Sequence, residues 1–369
     1  MPNDRQWRTL GGQDNEEAMG KTGWLRNAWY VAAWADELTE GPLERQIIGE
    51  HIVLFRQESG APAAVSAFCS HRRLSLAKGR VTGDRIACGY HGLEFSADGA
   101  CVNVPCQNAV PKGADIRGYR VEERWGLVWI WMGEAALADP ATIVEVDHWG
   151  SPDWGYNCGA AMVYDCNYLL IADNLLDPSH VAWVHQTSFG GTSCEAVPMR
   201  IREAPNGFTV SRWITDAPVT PFYRDLVPFD GHADRLQQYE VRYPSLAVIK
   251  AVFVPAGEGG EGSGEPWGPR AFVMDSYNFI TPENEGRSRY YWFQMRNVRP
   301  DDADLSMAMS AAVLAAFSED LEVLNEVQRG MDTATGPFVS IATDAGPLRF
   351  RNRLERLIEA EQAAHTKVR

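Results

Sequence analysis

The chain has 369 residues, with 34 Lys and Arg against 49 Asp and Glu and a formal net charge of −15, which excludes nucleic-acid binding through a basic footprint. Hydrophobic residues at 45% and charged residues at 22% exclude a disordered chain, and the length exceeds what one small core organises, so two packed domains are expected. No run is apolar and long enough to cross a bilayer, and the polar opening, MPNDRQWRTLGGQDNEEAMGK, has no signal-peptide core, so a cytoplasmic protein with no membrane partner is expected.

Residues 1–22 read as a loose tail, and order is expected from GWLRNAWYVAAWADEL onward. From there to about 135, short apolar runs such as RQIIGEHIVLFRQ and YRVEERWGLVWIWMG are broken by Gly, Asp and Pro, a pattern that predicts short antiparallel strands. In SADGA, residues 96–100, the Asp98-Gly99 pair signals a hairpin. After a Pro- and Asp-rich stretch at 139–153 the pattern changes. NYLLIADNLLDPSHVAWVHQ predicts a helix, GFTVSRWITD, LAVIKAVFV and RYYWFQMRNV predict strands, and ADLSMAMSAAVLAAFSEDLEVLNEVQRGM and LRFRNRLERLIEAEQAAH predict two further helices. Strands and helices that are grouped, not alternating, predict an α+β second part. The expected division is a tail at 1–22, a first domain at 23–150 and a second at 151–369.

Within the first domain, Cys69, His71, Cys88 and His91 follow the spacing C-x-H-x16-C-x2-H. Two loops that each bring one thiolate and one imidazole can surround one small metal centre. Zinc takes such a set tetrahedrally, but its sites usually group cysteines with cysteines and histidines with histidines. Interleaved types suit a [2Fe-2S] cluster in which one iron takes both thiolates and the other both imidazoles, as in Rieske centres, and that is the expected occupant. Gly79, Gly83, Gly89 and Gly92 provide turns through which backbone can approach the cluster closely. Five further cysteines, at 101, 106, 158, 166 and 194, bring the count to seven; an odd number without a secretory signal argues against disulfides, and burial as small hydrophobes is expected. Arg72, Arg73, Lys78, Arg80 and Arg85 make these loops basic on an acidic chain.

In the second domain, DNLLDPSHVAWVHQTSFGG at 173–191 contains Asp177, His180 and His185. Two neutral imidazoles and one carboxylate form the facial triad that holds non-heme Fe(II) with open positions for O2 and substrate. The histidines are five residues apart, about 140° around an ideal helix, so they meet at one metal only where the helix bends or widens; Pro178 supplies a cause. Asp177 sits one turn before His180, so the ligand carboxylate is expected from elsewhere in the chain.

DNLLDPSHVAWVH together with FSEDLEVLNEVQ resembles the oxygenase component of the vanillate O-demethylase group of Rieske non-heme iron monooxygenases, and the resemblance extends over NAWYVAAWADEL, CGYHGLEF, YRVEERWGLVWIW and DAGPLRFRNRLERLIEAEQ. It implies an all-β Rieske domain followed by a helix-grip-like catalytic domain of antiparallel sheet and helices. It also implies Asp320 as the third ligand of the mononuclear iron, with Glu319 and Glu322 as solvent-facing neighbours and Asn174 close to the metal. Asp177 is implied as the bridge from the iron of one subunit to the cluster of the next in a head-to-tail homotrimer. The implied activity is O2-dependent O-demethylation or hydroxylation of a small, carboxylated aromatic. Electrons would come from NADH through a separate flavin and ferredoxin-type reductase, for which the basic loops are a candidate docking surface. Ring dihydroxylation and N-dealkylation use the same metals, whereas a non-catalytic Rieske electron carrier would lack the second iron.

Substrate contacts are expected on the strands of the second domain. Arg212, Arg242 and Lys250 are candidate cations for a carboxylate, and alternation in YYWFQM lets either Tyr290, Trp292 and Gln294 or Tyr291, Phe293 and Met295 look inward. GEGGEG at 257–262 matches G-x-G-x-x-G formally, but SGEPWGPR after it cannot start a helix and Glu258 and Glu261 would repel a pyrophosphate. A loop over 256–268, a candidate lid, is expected there instead.

Overall fold

The computed structural model describes residues 23–39, 41–186, 188–189, 197–204, 206–259, 267–336 and 338–368. The expected tail at 1–22, Cys194 and residues 260–266 of the expected lid lie outside the described residues. The chain divides into two compact units: one of Arg26–Asp147 with Ile280–Arg289, the other built on His148–Phe279 and Tyr290–Arg369.

The first unit is β-rich. Its strands are β1 (Trp29–Trp34), β2 (Leu43–Ile47), β3 (Glu50–Arg56), β4 (Pro62–Ser66), β5 (Arg80–Thr82), β6 (Arg85–Ala87), β7 (Glu94–Ser96), β8 (Cys101–Asn103), β9 (Gly118–Arg124) and β10 (Leu127–Trp131). They form a six-stranded sheet in the order β1-β10-β9-β4-β3-β2 and a four-stranded sheet in the order β5-β6-β7-β8. The turn expected at Asp98-Gly99 joins β7 to β8, and the Ser96 N–H donates to the Ala100 carbonyl at 3.0 Å. Val53, Phe55, Leu76, Ile86 and Phe95 are fully buried in one cluster with Cys69 and Cys88. Cys101 and Cys166 are buried as expected and Cys158 is half-buried, but Cys106 is exposed, in the polar loop after β8 whose neighbouring residues are exposed as well.

A larger sheet runs β11-β18-β17-β16-β15-β14-β13, with β12 also paired to β18. These strands are β11 (Gly155–Cys158), β12 (Met162–Tyr164), β13 (Arg200–Ala204), β14 (Gly207–Pro218), β15 (His232–Arg242), β16 (Leu246–Pro255), β17 (Phe272–Asn284) and β18 (Arg287–Arg296). Both faces of YYWFQM are packed. Tyr290 and Trp292 pack on Tyr164 and Phe317, while Phe293 on the opposite face packs on Trp149, Tyr156 and Tyr277, so both faces are buried.

The helix predicted across residues 167–186 is two helices, α1 (Tyr168–Leu176) and α2 (Val181–Val184). Asn167 starts α1, its side-chain oxygen accepting from the Leu169 N–H at 2.9 Å. Pro178 ends it, since a residue before proline is driven out of the helical region, and Asp177 accordingly sits at φ −111°, ψ 90°. The long helix α3 (Ala303–Thr333) buries Met309, Val313, Ala316, Asp320 and Leu324, one stripe at spacings of three and four. The last helix, α4 (Ala345–Val368), docks on α1 through a bidentate pair in which Arg351 Nε lies 3.0 Å from both carboxylate oxygens of Asp173. No helix among the described residues is long and apolar enough to cross a membrane.

Candidate functional site

The two cysteine–histidine loops close in the same way although their histidines are spaced differently. Cys69 N–H donates to the Leu74 carbonyl at 3.0 Å and Arg73 N–H to the Cys69 carbonyl at 3.0 Å; Cys88 N–H donates to the Leu93 carbonyl at 2.8 Å and Gly92 N–H to the Cys88 carbonyl at 3.0 Å. The fourth residue after each cysteine is left-handed, Arg73 at φ 60° and Gly92 at φ 75°. Both thiols are thereby turned inward and buried, while His71 and His91 stay exposed with ring centroids 4.6 Å apart. Burial, with the neighbouring Cys88 thiol adding to it, pushes the Cys69 thiol above its ordinary pKa. Two buried sulfurs behind two adjacent, solvent-facing imidazoles are the donor set that a [2Fe-2S] cluster of mixed ligation requires. Gly89 has a packing role: a Cβ there would lie 2.4 Å from the Lys78 carbonyl, so only glycine lets the second loop lie against the entry to β5. Arg72, Arg73, Lys78, Arg80 and Arg85 are all exposed around the loops, with Arg85 3.4 Å from Glu94.

His180, His185 and Asp320 bring one ligand atom each to within 4.8 Å of one another. The break at Asp177–Ser179 makes this possible. His180 precedes α2 and His185 follows it at φ −102°, ψ 42°, so the second histidine leaves the helical path that would have sent it 140° away. Each ring is held by its outer nitrogen. His180 Nδ1 contacts the Asp177 carbonyl, and His185 Nδ1 lies 2.8 Å from Glu319 Oε2. Both Nε2 atoms then face the same oxygen, Asp320 Oδ1, at 3.7 Å from His180 and 3.2 Å from His185. Asn174 Nδ2 donates to that oxygen as well, at 3.2 Å. Burial lowers the His180 pKa; at His185 burial also lowers it, but the Asp320 and Glu319 carboxylates outweigh burial and hold it up. Two imidazoles presented by Nε2 and one buried carboxylate fit a facial iron triad.

Asp177 contacts His180 through its backbone and not, within this chain, through its carboxylate, which caps the Ser179 N–H at 2.8 Å. Its side of α1 lines a separate hollow with Asp173, Asn174, His180 and Arg351. Glu319, read from sequence as a bystander, holds an imidazole. The signal that separates it from Asp320 is the α3 stripe, in which Asp320 occupies a core position and Glu319 and Glu322 do not.

A cleft adjoins the triad. Its walls are mostly apolar: Val181, Phe189, Tyr223, Phe253, Met274 and Phe317 contribute rings and alkyl chains. Of the strand cations named from sequence, Lys250 lines the cleft, whereas Arg212 and Arg242 do not. Arg242 pairs with Glu240 at 2.6 Å, Lys250 stands opposite Asp275 in register and 3.6 Å from it, and Arg212 donates to Gln237 at 2.7 Å. Arg235 on β15, 5% exposed, lines the cleft as well and was missed by the sequence reading. Gln294 fixes the inward face of β18 as that of Tyr290, Trp292 and Gln294.

Residues 28–114 match the Rieske [2Fe-2S] domain model, and residues 164–360 match the model of the vanillate O-demethylase oxygenase C-terminal domain. The chain is 37% identical over 345 residues to the toluene-4-sulfonate monooxygenase system iron-sulfur subunit of Comamonas testosteroni, covering 91% of this chain and 98% of that one. It is 35% identical to a vanillate O-demethylase oxygenase subunit of Pseudomonas sp. strain HR199, covering 92% and 96%. Among solved structures, dicamba monooxygenase bound to 3,6-dichlorosalicylic acid superposes with a TM-score of 0.83 at 28% identity, over 93% of this chain and 100% of that one.

Proposed function

The chain belongs to the Rieske non-heme iron oxygenases of the vanillate O-demethylase group, enzymes with a [2Fe-2S] cluster and a mononuclear iron, and from that premise we propose that it oxidises a small carboxylated aromatic, removing an O-methyl group. Cys69, His71, Cys88 and His91 hold the cluster, and His180, His185 and Asp320 hold the iron. The observation that carries this reading is the convergence of both His Nε2 atoms on Asp320 Oδ1 at the wall of an apolar cleft. When bound, the metals supply electron delivery and dioxygen activation for insertion of one oxygen atom into a substrate C–H bond. The chain's own residues do the rest. Asn174 and Glu319 orient the ligands, and the apolar walls hold the aromatic ring and exclude water.

Hydroxylation of the ether methyl carbon consumes O2, two electrons and two protons and gives water and a hemiacetal, which breaks its C–O bond to leave a phenol and formaldehyde. The names of the relatives support the substrate class, since vanillate and toluene-4-sulfonate are both aromatic acids. The electrons come from NADH through a separate flavin and ferredoxin-type reductase that docks on the basic cluster loops. Relatives described as parts of monooxygenase systems support that partner. In a head-to-tail homotrimer Asp177 bridges the iron to the next subunit's cluster, a reading supported by its place beside His180. The protein works in the cytoplasm, where NADH is available. The carrier alternative is set aside by the catalytic-domain match.

The test is iron and acid-labile sulfide per chain on anaerobically purified protein, beside a His180→Ala/His185→Ala variant, followed by formaldehyde assay on methoxylated aromatic acids. About three irons and two sulfides, falling to about two irons in the variant, are expected from one cluster plus one mononuclear site. Formaldehyde in proportion to O2 consumed supports demethylation; a cis-diol without formaldehyde would replace it with ring dihydroxylation.

A further inference from the structure

We infer that Gln294 is a specificity-determining residue of the cleft: its side-chain amide donates a hydrogen bond to an uncharged oxygen on the substrate ring, an ether or phenol oxygen. It thereby selects oxygen-substituted aromatics over alkyl-substituted ones of the same shape. This deepens the substrate reading above and rests on it.

The strand places the residue. Gln294 lies on β18, where Tyr290 and Trp292 alternate onto the same face. Both rings pack edge-on against Phe317, a wall of the cleft, with centroids 5.3 and 5.5 Å away. Gln294 continues that face to the cleft itself, where it is 2% exposed. From the other side β11 backs it: Asn157 stands opposite Gln294 in the antiparallel register and is 3% exposed. The run YYWFQMR is buried throughout, and an amide in such a run is costly unless its polar atoms are met.

One of those atoms is met and the other is not. Asn157 Nδ2 donates to Gln294 Oε1 at 3.1 Å, which turns the amide nitrogen away from that bond. Among the described residues Nε2 has no hydrogen-bond partner, and it is not sealed in protein as Asn157 Oδ1 is; it opens on the cleft that Gln294 lines. Exchanging oxygen and nitrogen in both amides would enclose an Asn157 N–H group without an acceptor, and an orphaned buried donor is rarer than an orphaned buried oxygen. Gln294 thus presents N–H donors to a cleft whose walls are mostly rings and alkyl chains. A ligand that fills the cleft strips water from that nitrogen. An alkyl group placed there leaves the donors unpaired, whereas an ether or phenol oxygen accepts from one of them, so the site penalises the isostere that lacks the oxygen.

The experiment is anaerobic calorimetric titration of the iron-loaded full chain, without reductase, with two matched pairs: 3-methoxybenzoate against 3-ethylbenzoate, and 4-methoxybenzoate against 4-ethylbenzoate. Methoxy and ethyl groups are close in shape, so the ratio of the ethyl Kd to the methoxy Kd reads the oxygen. At one ring position or both, that ratio is expected to fall about tenfold in Gln294→Met and in Gln294→Leu, which keep an apolar side chain of similar size and lose the donors. A ratio that stays within about twofold of wild type at both positions would overturn the inference. Equal weakening of both members of a pair is one form of that result, and would mean that Gln294 meets the carboxylate they share or only packs. A wild-type ratio no higher than the one set by the ligands' own water–octanol partitioning, at both positions, would overturn it as well, and this arm stands even where a variant fails to fold. Failure of all four acids to bind would overturn the inference together with the substrate class. An oxygen preference without O2 uptake on adding reductase would count against the oxidation reading alone, and turnover without an oxygen preference against Gln294 alone, so the two failures are separable.

Discussion

Glu319 and His185 are joined by a 2.8 Å contact between Oε2 and Nδ1, while the next residue on the same helix, Asp320, lies 3.2 Å from the other nitrogen of that ring. Two consecutive carboxylates thus grip one imidazole from both sides. The outer contact fixes the tautomer, with Nδ1–H donating to Glu319 and Nε2 left as the ligand atom. Glu319→Ala is expected to weaken iron retention about 10- to 100-fold, and Glu319→Gln, which can still accept the proton, to restore most of it. Iron content after stepwise dialysis against a ferrous chelator measures this; equal retention in all three proteins would reduce Glu319 to a surface acid.

Asp320→Ala should abolish mononuclear iron while leaving the cluster absorption in place, and Glu322→Ala should change neither. Asn174→Ala is the subtler variant. Its amide donates to Asp320 Oδ1 at 3.2 Å, so removing it frees the carboxylate to rotate and is expected to lower iron affinity by less than loss of the ligand itself. Iron and sulfide assays on the three variants give the ranking, and an Asp320→Ala protein that kept its third iron would move the ligand elsewhere.

Much of this was legible because the chemistry lies in short motifs. The interleaved spacing at 69–91 and the pair at 180 and 185 are local patterns, and local patterns survive without tertiary context. The convergence of that pair was legible only as a condition, that the helix must deviate, and the break at Asp177-Pro178 meets it. Of the two cations lining the cleft, Lys250 was named from sequence and Arg235 was not. Arg212, Arg235, Arg242 and Lys250 occupy equivalent-looking places on strands, and which of them meets a cavity depends on strand register and on partners such as Asp275 and Glu240, which no single strand encodes. Arg73 at φ 60° was invisible for a related reason: the spacing of the two loops differs, and their shared closure shows only in the hydrogen bonds.

Gly89 offers a test of the cluster loops. A methyl group there would press on the Lys78 carbonyl at 2.4 Å, backbone against backbone, where no rotamer relieves it. Gly89→Ala is expected to displace the loop carrying Cys88 and His91, and purified protein should show a substantial loss of sulfide and of visible absorption relative to wild type. Full cluster occupancy in this variant would mean that the loops tolerate separation.

Reductase docking is tested best away from the ligands. Arg73 holds a left-handed backbone position, and the Arg72 charge, after burial and His71, helps lower the pKa of His91, so reversing either would disturb the cluster itself. Lys78 and Arg80 are exposed and free of both complications. Lys78→Glu/Arg80→Glu should raise the KM for reductase about tenfold at low ionic strength with kcat at saturating reductase retained, and the difference should shrink as salt screens the charges. A KM that is unchanged at low salt would remove this patch from the docking surface.

The pair between Arg351 and Asp173 ties the last helix to the helix that carries Asn174, so its loss should reach the iron. Arg351 is 7% exposed, and its Nε lies 3.0 Å from both Asp173 oxygens. Removing the cation strands a largely enclosed carboxylate, which costs more than the pair contributes. With Asp173 partly open to solvent the expected loss for Arg351→Met is about 2 kcal/mol, or roughly 4–8 °C in the Tm of the second unit. Asp173→Asn/Arg351→Met, which removes the stranded charge, should recover a large part of that loss, since a neutral amide costs much less to desolvate than a carboxylate. The single variant should also release iron faster than the double, because α1 positions Asn174 and the break before His180. A double variant no more stable than Arg351→Met would show that α4 is held by its apolar contacts and that the ion pair adds only orientation.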